Sequence, residues 1–190
     1  MSSESLRRTW TVIHGYQAPQ GEIENAQQIA NHLRSKLNMV KVLPGNLPVL
    51  DYITKITNVV VVGGPNANRW ALWFNQYTSP KWSITVQEDY TPDQDYGEWA
   101  SQHLHVDGII QGDKMWNDMN QKGIIGVGKQ DVMRVRPLKI IQISGNSYCD
   151  TCAMGQAFRK DEGEGVYTTG CTAEVPLSEP CPADIDYTKI

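Results

Sequence analysis

The hydrophobic pattern changes period several times along the chain, and each change marks an element. Residues Val59 to Val62 are four consecutive valines. With no alternation, both faces of that strand should be buried, as in the centre of a parallel sheet. Gly63-Gly64-Pro65 ends it, because glycine allows a tight turn and proline cannot carry the ladder onward. Asn66 or Asn68 can cap the helix that follows, where Trp70, Trp73, Phe74 and Tyr77 repeat at helical spacing. The pattern therefore predicts a strand, a glycine-rich turn and a helix N-terminus.

Upstream, Trp10 to His14 reads as the first strand and Gly15 to Gly21 as the loop leaving it. From Ile23 to Leu37, the residues Ile23, Ala26, Ile29, Ala30, Leu33 and Leu37 share one helical face. Glu22 and Glu24 in its first turn and Arg34 and Lys36 in its last suit the helix dipole. Met39 to Leu43 is a second strand, and Val49 to Ile56 one or two helical turns before the valine strand. This β-α-β-α-β rhythm calls for parallel strands. Downstream, Trp82 to Val86 is a fourth strand and Gln87 to Trp99 a long polar loop. Gly108-Ile-Ile and Gly123 to Gly128 suggest a meander at the sheet edge. Pro137 to Gly145 is another buried strand, and a helix follows within Asn146 to Arg159. From Asp161 to Ile190, glycine, proline and threonine predict an irregular tail.

The expected fold class is α/β: a mostly parallel, Rossmann-like sheet with helices on both faces and an antiparallel extension from Ser101 to Val135. Residues 1–160 form the α/β domain, and 161–190 a cysteine-containing tail packed on it. At 190 residues one domain can bury roughly 70% of its unfolded surface. A net charge of −4 and a pI near 5.5 argue against nucleic acid as a partner. No apolar run approaches a membrane span. The polar stretch Met1 to Arg8 lacks an apolar segment behind it, so no secretory signal is expected. Six Trp and eight Tyr against two Phe favour half-wet contact surfaces. Trp82, Trp99 and Trp116 are the candidate interface residues, with Trp70 and Trp73 divided between interface and core.

The candidate chemistry is thin. Gly63-Gly64-Pro65-Asn66-Ala67-Asn68 is neither a dinucleotide fingerprint nor a P-loop. It is still a ligand-facing corner, and strand, glycine and capped helix recur at Gly145 and Ser147. A small nucleotide- or anion-binding enzyme or sensor would use Gly15, Gly63, Gly64, Pro65, Asn66, Asn68, Gly145 and Ser147. His14, at the end of the first strand, could face the same cleft. Cys149, Cys152, Cys171 and Cys181 allow two structural disulfides pinning the tail to the last helix, which is the expectation adopted. Free thiols, a zinc site and a redox Cys-x-x-Cys are the alternatives. His103, His105 and Asp107 would share one face of an extended segment, a metal-compatible pattern that a solvated strand face also gives. Glu88, Asp89, Asp93 and Asp95 read as a solvated acidic loop, with weak calcium binding as a lesser option. No nucleophile, base and orienting group form a set, so no metal, cofactor or catalytic residue is expected.

The two glycine corners, Val59 to Asn68 and Lys139 to Gly145 followed by Asp150-Thr-Cys-Ala153, resemble archaeal surface-layer (S-layer) protein domains. The first also resembles the cell-wall-binding repeats of bacterial surface proteins. The resemblance implies a non-enzymatic structural or assembly module, of surface-layer or virion type, acting through protein–protein contacts. It implies homo-oligomers or other structural proteins as partners. An extracellular surface or virion is the expected location, with the cytoplasm as the alternative.

Overall fold

The computed structural model describes residues 9–45, 58–117, 123–133, 136–160 and 163–167. The first strand, β1 (Thr9–His14), leads into helix α1 (Gln20–Ser35) and strand β2 (Met39–Pro44). The valine strand β3 (Asn58–Val62) leads into helix α2 (Arg69–Asn75), then the short β4 (Thr78–Ser79) and β5 (Lys81–Val86). Helix α3 (Tyr96–His103) precedes β6 (Leu104–Gln111), β7 (Lys114–Trp116) and β8 (Gly123–Met133). Strand β9 (Arg136–Gly145), helix α4 (Tyr148–Arg159) and β10 (Gly165–Tyr167) follow.

Among the described residues seven strands form the main sheet, in the order β10-β8-β9-β3-β1-β2, with β4 also on β8. Strands β2, β1, β3 and β9 run parallel. Strand β8 is antiparallel to β9, and β10 and β4 are antiparallel to β8. The order reverses direction beside β1: β2 lies on one side of it and β3 on the other. A three-stranded antiparallel sheet, β5-β6-β7, stands apart from the main one.

The valine run behaves as its lack of alternation predicts. Val60 and Val62 face a core with Val12, Ile29, Leu33, Ile143 and Met154, which places α1 and α4 on that face. Val59 and Val61 face Ile13, Trp70, Ala71, Phe74 and Ile140, which places α2 on the other. Each side chain of this size contributes about 1.5–3 kcal/mol on full burial. A polar residue anywhere in Val59 to Val62 would therefore lose that contribution and add a desolvation cost.

The second half of the chain departs from expectation in four places. Trp82 to Val86 belongs to the small sheet, not to the parallel one. The segment from Ser101 to Val135 is divided: residues 101–103 finish α3, β6 and β7 enter the small sheet, and β8 enters the main sheet between β9 and β10. Asp95 caps α3 by accepting from Glu98 N at 2.9 Å, so the acidic loop ends in a helix. Within the expected irregular tail, Gly165 to Tyr167 pairs with β8. The expected helical turns at Val49 to Ile56 lie outside the described residues, as does the tail beyond Tyr167.

The small sheet is fixed to the main one by a buried polar chain. Gln142 Nε2, on β9, donates to Asn75 Oδ1 and Thr78 Oγ1, both at 3.0 Å. Asn75 Oδ1 accepts from Trp82 N at 2.8 Å, and Trp82 Nε1 donates to Ser144 Oγ at 3.0 Å. Along β9, Ile140, Gln142 and Ser144 alternate toward this face. Close approach also needs glycine on β8: a Cβ at Gly128 would lie 1.7 Å from the Tyr77 carbonyl oxygen. We expect Gly128→Ala to cost about 2–3 kcal/mol in urea unfolding, because a backbone carbonyl blocks the methyl. A loss below about 0.5 kcal/mol, the range of neutral surface changes, would contradict this packing.

Candidate functional site

The carboxyl ends of β1, β2, β3 and β9 are tied together by their own loops. Asn68, the N-cap of α2, accepts from Trp70 N at 3.0 Å. Its Nδ2 donates to the carbonyls of Ile13 and Val62 at 3.2 and 3.0 Å, stapling the ends of β1 and β3. Trp70 Nε1 donates to Gly45 O at 2.9 Å, and Gly45 N donates to His14 O at 2.9 Å, which draws in the end of β2. Gly63 N donates to Ile143 O at 3.0 Å, joining β3 to β9.

These tied ends surround a cleft of about 270 Å³. Gly64, Pro65, Asn66 and Ala67 from the loop after β3 form one part of its wall. Gly145, Asn146, Ser147 and Thr151 form another, from the loop after β9 and the first turn of α4. Pro19 and Glu22 come from the start of α1, and Trp82 and Val106 from the small sheet. A second, wider hollow of about 430 Å³ shares Pro19, Asn66 and Ala67 with it. Arg69, Asp95, Tyr90 and Tyr96 line that hollow. Burial pushes the Tyr96 phenol up, so it stays protonated and donates to the Pro65 carbonyl.

Glu22 is the least expected member of the cleft. It is 4% exposed, and its Oε2 has no hydrogen-bond partner. Burial alone pushes its carboxyl from 4.5 up to about 7. Gly63 makes room for it: at φ +102° a Cβ would lie 2.7 Å from Glu22 Oε1. Asp150, in the first turn of α4, is also raised by burial, against hydrogen bonds from Ser147 that lower it. Among the described residues no Lys, Arg or His side chain lines this cleft.

The residues read from sequence as ligand donors divide. Gly64, Pro65, Asn66, Gly145 and Ser147 line the cleft. Gly15, Gly63 and Asn68 do not; Gly15 packs against the Ala67 carbonyl and Asn68 is consumed as a strand staple. Ser147 is also the N-cap of α4, accepting from Asp150 N at 3.1 Å. His14, which could have faced the cleft, is buried, with Nδ1 2.8 Å from Gly15 O. Sequence reading assigned Glu22 only to the helix dipole and Thr151 only to the surface-layer resemblance, and gave Val106 no role. The available signal was the Pro19-Gln20-Gly21-Glu22 run, which starts a helix directly after a strand and so puts Glu22 at a strand end.

Other expectations are corrected. Trp82 and Trp99, at 3% and 2% exposure, are core rather than interface. Their indole nitrogens donate inside the chain, Trp99 Nε1 to Glu88 O at 2.9 Å. Trp70 is buried, and Trp73 packs edge-on against Phe74. Trp116 is half-buried with Lys114 Nζ over its ring at 4.6 Å. His103 ends α3 and meets Glu88 at 3.3 Å, whereas His105 meets Asp107 at 3.4 Å, so the three do not share a strand face. Among the described residues no His, Cys, Asp and Glu side chains gather as a metal site. The two-disulfide expectation fails at Cys152, a thiol buried at 1% exposure on the inner side of α4. Cys149, three residues earlier and half-buried, is disulfide-bonded. Cys171 and Cys181 lie outside the described residues.

No family model matches the chain, and neither a curated protein nor a solved structure matches it. Among the described residues no helix is long and apolar enough to cross a membrane.

Two stability predictions follow from the buried carboxyl. A folded-state value near 7 against 4.5 means that the folded chain binds the extra proton between those pH values. Wild-type stability should therefore fall as pH rises from 4.5 to 7, by about 3 kcal/mol in all. Glu22→Gln should remove that slope and be the more stable chain at pH 8, as read by urea unfolding across pH. An unchanged slope in Glu22→Gln would refute the buried carboxyl. Gly63→Ala, which sets a methyl against Glu22 at positive φ, should cost about 1–3 kcal/mol, measured by thermal unfolding at pH 6.

Proposed function

We propose that this chain is a small-molecule-binding α/β domain, with its ligand in the cleft between the loops after β3 and β9. The observation that carries the reading is the position of the cleft. It lies at the carboxyl ends of parallel strands, next to the place where the strand order turns back on itself. In open α/β sheets that is where loops diverge and leave a crevice for ligands. The parallel run in the order β2-β1-β3-β9, with α1 and α4 on one face and α2 on the other, supports a doubly wound, Rossmann-like core beneath it. The described residues offer no nucleophile with a base and an orienting group, so binding is proposed and catalysis is not.

A structural or assembly role of surface-layer or virion type is the competing reading, and one observation favours it. Strand β2 ends the main sheet among the described residues, with Met39 at 62% exposure and Leu37 beside it at 78%. An exposed apolar edge is a surface that another chain can add to. Of the interface residues first assigned to that role, Trp82 and Trp99 give it no support because both are buried, and Trp116 is half-buried.

Gly64 supplies the test. A Cβ there would meet only Ser144 Oγ at 3.5 Å and Gly145 O at 3.9 Å, ordinary contacts. Gly64→Leu should therefore fold with little loss of stability while filling the cleft. In a fragment screen read by amide NMR shifts, hits on wild type should move Gly145 to Thr151 and vanish in Gly64→Leu. Hits that survive the substitution would place binding elsewhere. Large ordered particles in light scattering, with no fragment bound at the cleft, would favour the assembly reading.

A further inference from the structure

The cleft reading says where a ligand sits; the charge of the wall says what kind. We propose that the cleft takes a small organic cation, a protonated amine or a guanidinium group, seated on the Glu22 carboxylate. This rests on the small-molecule reading above and replaces its anion-binding form.

Three observations carry the proposal. First, Glu22 lines the cleft and is buried, and its Oε2 lacks a hydrogen-bond partner. An acceptor in that state incurs a desolvation cost that a donor from a ligand would remove. Second, Gly63 has no Cβ, which leaves space for the carboxyl, and it adopts the positive φ that glycine tolerates. The backbone is thus shaped to keep Glu22 in place without giving it a hydrogen bond. Third, no cationic side chain among the described residues lines the cleft to compete for the carboxylate.

The surrounding titratable groups agree in sign or point away. Glu24 is two residues along α1. Asp150 opens α4, and His14 closes β1 with its Nδ1 against a backbone carbonyl. On the small sheet, Lys81 and the His105–Asp107 pair neighbour Trp82 and Val106, whose side chains alternate to the opposite side. The cleft ends of β3 and β9 carry none. An anion would meet the Glu22 carboxylate with no counter-charge among the described lining residues, which a low-dielectric site makes costly.

The test compares probes of one shape and different charge: benzylamine, benzyl alcohol and benzoate, titrated by calorimetry and amide NMR into the full chain from pH 5 to pH 8. Benzylamine stays cationic throughout, so its binding should strengthen roughly tenfold per pH unit up to about 7, as Glu22 loses its proton, and then level off. Glu22→Gln should abolish that slope and weaken benzylamine at pH 8 by at least tenfold. Benzoate or benzyl alcohol binding as well as benzylamine, or tighter binding as pH falls, would overturn the cation assignment and leave the cleft reading standing. Benzylamine binding that Glu22→Gln does not change would overturn it too. If none of the three moves the amides of Gly145 to Thr151, both the cation assignment and the cleft reading fail together.

Discussion

Strand β3 has no face left for water, and the rest of the structure follows from that constraint. Four valines in a row must each be covered, so helices are needed on both sides and neighbours along both edges. α1 and α4 supply one cover and α2 the other, while β1 and β9 supply the edges. A strand so enclosed can expose only its end. The chain leaves that end through Gly63 and Gly64, whose missing Cβ atoms leave room for the Glu22 carboxyl and for the cleft. Burial of the valines and openness of the cleft are two consequences of one arrangement.

The polar groups at the strand ends divide into those that hold and those that wait. Asn68, Trp70 and Ser147 hold: each hydrogen bond they make ties a loop to a strand or begins a helix. Glu22 does neither. A neutral amide at that position would serve the fold as well and cost less, because burying an unpaired carboxylate is unfavourable. A group kept at a cost to stability is where function is most economically sought. The fold's rules are obeyed at the valines and broken at Glu22.

Much of the fold was legible from period and punctuation. The first strand and its helix, the valine strand, the Asn68 cap and the buried strand ending at Gly145 are local statements, written in hydrophobic spacing and turn residues. What was not legible was non-local. Nothing in Trp82 to Val86 says whether its ladder will join the parallel strands or a separate antiparallel sheet. That choice is made by Asn75, Gln142 and Ser144, which lie up to 67 residues from their partners in the polar chain. The tryptophans misled for a related reason. Their nitrogens can be satisfied by a carbonyl or hydroxyl inside the chain as well as by water, so Trp82 and Trp99 could be buried without cost. The cleft was half visible, as two glycine corners; Glu22 was not, because its isolation depends on Gly63 and on burial beneath three converging loops.

The central claim is that Glu22 is a buried, unpartnered carboxyl at the head of the cleft. Its most direct test is a pH titration of the Glu22 side-chain carbon followed by NMR on the intact chain. A midpoint near 7 is expected, with the resonance assigned by its disappearance in Glu22→Gln. A midpoint near 4.5, the ordinary value for glutamate, would mean that water or a partner reaches the carboxylate, and the cleft would lose the feature that distinguishes it.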